Sequence, residues 1–136
     1  MRLALLIGLV MLSAAPAFAH HSGAMYESTK PITLRGTVTE FRWTNPHCIL
    51  MLTTEAKAGE TPVVWTIELT SPGNLTRIGW TRTSIKANDR LDLVIAPLRD
   101  GGHGGGFRKA TILTTGQVLS GGAGDAIHAG ETPNLK

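Results

Sequence analysis

Pro31-Ile32-Thr33-Leu34-Arg35-Gly36-Thr37-Val38-Thr39-Glu40-Phe41-Arg42-Trp43 is the stretch whose reading decides the fold. In its first half Ile32, Leu34 and Val38 face one way, and Thr33, Arg35, Thr37 and Thr39 face the other. That period of two marks a half-buried strand. Gly36 interrupts the pattern, as at a bulge or a sharp bend in a coiled strand. Phe41 and Trp43 then fall on the opposite parity from Leu34 and Val38. Such a change of phase fits a bulge, or a strand that serves two faces. A long first strand bent near a glycine can pair on both edges, which a small closed barrel requires.

The elements that follow agree with a barrel. Thr44-Asn45-Pro46-His47 is turn chemistry, because proline fixes φ and biases the residue before it away from the helical region. Residues 48–54 read as a second strand, with Ile49 and Met51 expected inside, and residues 57–60 as a polar turn. In residues 63–69, a third strand, Val63, Trp65, Ile67 and Leu69 share a face. Ser71 then offers a helix N-cap and Pro72 suits the first helical position. Leu75 and Ile78 are spaced to share a face. Gly79 can take the left-handed stop conformation, with Trp80 folding back on the last turn. Leu91, Leu93 and Ile95 alternate in a fourth strand that Pro97 ends. The glycine-rich residues 100–106 read as a flexible loop, and residues 109–119 as a fifth strand, interrupted at Gly116. Three strands, a short helix and two strands is the element order of a five-stranded OB-like barrel. An antiparallel meander or sandwich with a stray helical turn is the alternative. For the barrel, Leu34, Val38, Ile49, Met51, Trp65, Ile67, Leu93 and Ile95 are the expected core.

The chain begins like an export signal. Arg2 supplies a positive start, residues 3–12 are almost unbroken apolar sequence, and Pro16 precedes Ala17-Phe18-Ala19, a small-x-small cleavage pattern. The apolar run falls short of the roughly 20 residues that a spanning helix takes, and no second long run follows. The expectation is a periplasmic or secreted protein with no membrane span once residues 1–19 are removed. The remaining 117 of 136 residues suffice for one domain. They divide into an extended arm at 20–30, the barrel at 31–119, and a small-residue tail at 120–136 with nothing to pack, expected to be disordered. The formal charge is +3, and loss of Arg2 leaves 12 basic against 10 acidic residues. The basic residues are scattered, so no nucleic-acid partner is expected. Cys48 is the one cysteine, so no internal disulfide forms. At the head of an apolar run, it is expected to be a buried, unreactive thiol.

His20-His21-Ser22, Leu34-x-Gly36-x-Val38 and Phe41-x-Trp43-x-Asn45-Pro46-His47 together resemble a family of short exported bacterial proteins classed only as a domain of unknown function. Trp65-x-x-Glu68, Gly79-Trp80 and residues 97–102 fit the same pattern, so the resemblance spans residues 20–119. It implies export and a small β-rich fold, and it supplies no activity. Such sequences usually carry an ordinary apolar residue where this one has Cys48.

The chemistry rests on histidine. A cut after Ala19 leaves a free amine on His20 beside two imidazoles, a donor set that favours Cu(II), the top of the divalent affinity order. Three arrangements follow. The terminal amine with His20 or His21 can chelate alone. His47, in the loop between the first two strands, and His103, in the loop between the last two, can converge on the usual binding face of an OB barrel. Or His20 and His47 can form a joint site, which needs the arm to run back along the first strand over a reach of at most about 36 Å. Each has a plainer reading: a histidine arm that merely follows the cut, a turn histidine bonded to backbone, and a solvated loop histidine. Catalytic signals are weak. Glu27, Glu40, Glu55 and Glu68 are acids without a recognisable pair, and no nucleophile elbow is present. The expectation is a binding protein rather than an enzyme, an oxidative copper enzyme being the alternative within that class. It takes Cu(II) through His20, His21 and His47. A second class is a metal-independent module that binds a small ligand, or another envelope protein, at Trp43, Asn45 and His103 around the His47 corner.

Overall fold

The computed structural model describes residues 22–121. The expected export signal at 1–19, His20, His21 and residues 122–136 of the expected tail lie outside the described residues. A 3-10 turn at Ser22–Met25 precedes β1 (Ile32–Arg42), β2 (Ile49–Thr54), β3 (Val64–Glu68), α1 (Pro72–Arg77), β4 (Arg90–Pro97), β5 (Gly104–Ile112) and β6 (Val118–Ser120). Among these residues no helix is long and apolar enough to cross a membrane.

β1 pairs antiparallel with β2 on one edge and with β4 on the other. Its bulge falls at Thr39, where the register passes from Val38↔Leu52 to Glu40↔Met51. The extra residue produces the parity change at Phe41. Gly36 is therefore not the bulge. It lies where both edges are occupied, opposite Thr54 and Leu91, and a Cβ there would stand 2.3 Å from the Thr53 carbonyl oxygen. The glycine permits close approach of β2.

β2 pairs with β3 and β4 with β5, both antiparallel. The ring is closed by a parallel pairing of β3 with β5: Thr66↔Gly104, Ile67↔Gly105 and Glu68↔Gly106. The result is the all-β, five-stranded OB-like barrel, with α1 between the third and fourth strands. A meander or sandwich would leave β3 and β5 apart.

That closure corrects the reading of residues 100–106 as one flexible loop. Gly104, Gly105 and Gly106 are buried and open β5. A Cβ on Gly105 would lie 2.6 Å from the Ala96 carbonyl oxygen, and one on Gly104 would lie 2.8 Å from Leu98 Cδ1. Glycine marks close packing here rather than chain freedom. The expected fifth strand at 109–119 is a hairpin instead, because Gly116 takes φ +72° and turns the chain so that β6 returns along β5. Ser120 belongs to β6 and not to a disordered tail; the Trp80 indole Nε1–H donates to its carbonyl at 2.9 Å.

The core holds Val38, Ile67, Leu93 and Ile95 as expected. Leu34 and Trp65 are only partly buried against it. In β2 the expected phase is reversed: Cys48, Leu50 and Leu52 are buried, while Ile49 and Met51 are half-exposed. All five residues are apolar, so periodicity could not choose between the faces. The choice is made by backbone bonds: the Cys48 N–H donates to the Thr70 carbonyl, and the Leu69 N–H donates to the Cys48 carbonyl. Burial also pushes the Cys48 thiol pKa up.

α1 follows β3 and contributes Leu75 to the core. The Ser71 hydroxyl accepts from the Asn74 N–H at 3.3 Å, and Pro72 opens the helix. Gly79 takes φ +90°. The Gly79 N–H donates to Thr76 and the Trp80 N–H to Leu75, a Schellman stop. Leu75 and Trp80 are thereby buried together, and Ile78, expected to share the Leu75 face, is the exposed C-cap.

Candidate functional site

Segments far apart in the chain meet at one carboxylate. Glu68 ends β3, opposite Gly106 in the parallel seam. Its Oε1 lies 2.7 Å from His47 Nδ1, and its Oε2 accepts from the Tyr26 hydroxyl at 3.0 Å. The Cys48 backbone bonds to Leu69 and Thr70 fasten the β1–β2 loop to the end of β3 and bring His47 there.

A carboxylate oxygen only 2.7 Å away favours hydrogen on His47 Nδ1, and in the neutral tautomer that carries it there the Nε2 lone pair is free. The His47 side chain is 39% exposed and Glu68 25%, so the ring is open to a ligand. A carboxylate behind one imidazole nitrogen is how proteins orient the other toward a metal.

Tyr26 reaches Glu68 because the segment around it is docked. Its ring lies over Gly106, where an added Cβ would meet Tyr26 Cδ2 at 3.3 Å. Tyr26 bridges Leu98. The Glu27 N–H donates to the Pro97 carbonyl at 2.8 Å and the Arg99 N–H to the Met25 carbonyl at 3.0 Å. Arg99 pairs with Glu27 at 2.9 Å, and Arg108 donates to the Ser28 carbonyl. Residues 25–28 of the expected arm are therefore pinned across the β4–β5 end of the barrel. Burial, then the Glu68 charge, hold the Tyr26 phenol well above its usual pKa, so it remains a donor through the physiological range.

The other expected residues lie apart from this carboxylate contact. Trp43 is half-buried, edge-on to Phe41 with ring centroids 5.9 Å apart, and packs toward the core. Asn45 is exposed, and its peptide bond to Pro46 is cis. His103 is exposed and lies against Trp65 at 5.3 Å. Trp65 and Glu68 are three apart on a strand, so they leave opposite faces, and His47 and His103 keep separate partners. Among the described residues no group of three or more His, Cys, Asp or Glu could hold a metal ion. A ligand set built on His47 would need donors from outside residues 22–121.

Sequence reasoning missed Tyr26 and the role of Glu68. The available signals were faint: the chain's one tyrosine in an otherwise polar arm, and an acid at the end of an apolar strand. Their meeting depends on the β3–β5 closure, which no local pattern announces.

Residues 8–108 match the model of a family of unknown function (DUF6152). No curated protein and no solved structure matches the chain.

Proposed function

We propose, for a chain that belongs to this family of unknown function, that the mature protein is exported and binds one Cu(II) ion. The terminal amine and His20 or His21 are the main ligands, and His47 Nε2 is the further one. The observation that supports this reading is that Tyr26 and His47 share Glu68. His21 is five residues before Tyr26, and five residues span at most about 18 Å. The start of the mature chain can therefore reach toward His47 without the long return along the first strand. An amine and imidazoles are nitrogen donors, for which Cu(II) outranks Zn(II). Binding weakens as pH falls, because protons compete for the same lone pairs.

The test is a Cu(II) titration of three proteins: one beginning at His20, one with a single extra N-terminal residue, and His47→Ala. The reading predicts that the first binds one Cu(II) more tightly than Zn(II). Each of the others should weaken Cu(II) binding by more than about tenfold, or 1.4 kcal/mol. If only the extension weakens binding, His47 is not a ligand. If neither change matters, or no tight copper site is found, the copper reading fails. The metal-independent ligand site at Trp43, Asn45 and His47 then becomes the better account.

A further inference from the structure

We infer that Tyr26 is a positioning residue for His47, acting through Glu68; this rests on the copper reading for its function, but not for its geometry. A carboxylate held at one oxygen can still turn about its side-chain bonds. Glu68 is held at both, by the Tyr26 hydroxyl at Oε2 and by His47 at Oε1. Tyr26 is fixed in turn. Its ring rests on Gly106, where the absent side chain leaves room, and its backbone is bridged to Leu98. The order of support therefore runs from Gly106 to the Tyr26 ring, to the Glu68 carboxylate, to His47 Nδ1, and so to the direction of Nε2. Tyr26 is 9% exposed while His47 is open, so the tyrosine supports the ring without competing for its ligand. Removing the direct partner of a ligating histidine typically costs about 10–100-fold in metal affinity, and Tyr26, one step further out, has an effect bounded by that range.

Tyr26→Phe tests this, because it deletes one hydroxyl and keeps the ring on Gly106. The first readout is the tautomer of neutral His47, read from nitrogen-15 shifts in the metal-free protein. The native chain should hold Nδ1–H, and Tyr26→Phe should give a mixture. The second readout is Cu(II) affinity, expected to fall by up to about tenfold, the lower end of the range for a direct partner. Gly106→Ala, whose Cβ would press on the ring at 3.3 Å from Cδ2, should move both readouts the same way. A mixed tautomer in Tyr26→Phe supports the positioning role even if the native protein binds no copper, in which case only the copper reading is lost. An unchanged Nδ1–H tautomer in Tyr26→Phe overturns the positioning role, whatever copper does.

Discussion

Phe107→Ala is expected to destabilise the protein by about 3–5 kcal/mol, the range for deleting a buried phenylalanine ring. Phe107 is fully buried. It stands in β5 opposite Ile95 and meets Trp80 edge to face, with centroids 5.4 Å apart and planes at 83°. The ring therefore joins the closing strand to the buried tryptophan that follows α1. Its loss leaves a cavity that a closed barrel cannot collapse to fill. Urea unfolding followed by tryptophan fluorescence would report the change. A loss under about 0.5 kcal/mol, the size of a surface effect, would place Phe107 outside the core.

Gly36→Ala is expected to cost about 1–3 kcal/mol, as overpacking does. The new Cβ would lie 2.3 Å from the Thr53 carbonyl oxygen, 2.9 Å from the Thr53 carbonyl carbon and 3.0 Å from Leu52 Cγ. Two of these are backbone atoms, which cannot swing aside. β1 cannot retreat either, since β4 holds its other edge at Gly36↔Leu91. Gly73→Ala serves as the control. Nothing lies within 4 Å of its Cβ, and alanine favours the helix. Unfolding midpoints should fall for Gly36→Ala and hold or rise for Gly73→Ala. Equal midpoints for native protein and Gly36→Ala would mean that the β1–β2 approach is not tight.

Gly36 also marks what the sequence could and could not reveal. Gly36, the parity change at Phe41, and the Ser71-Pro72 to Gly79-Trp80 helix frame are local signals, and together they identified the barrel. The phase of β2 was hidden because Cys48, Ile49, Leu50, Met51 and Leu52 are apolar on both faces. Gly104, Gly105 and Gly106 read as a loop because a glycine run looks the same whether the chain must be free or must be close. At the site, His47 was legible as a polar residue in a proline turn. Glu68 and Tyr26 were not, since each gains its meaning from β5 closing on β3. His103 looked equivalent to His47 by loop position, yet the strand between them sends their partners to opposite faces.

The central claim is a copper site that begins at the mature N-terminus. Its most direct test is native mass spectrometry of the protein isolated from its own cells without chelators, then supplied with a slight excess of Cu(II). The account predicts a chain beginning at His20 and carrying one copper ion. A chain that retains residues 1–19, one that starts away from His20, or one that begins at His20 and still takes up no copper would contradict it.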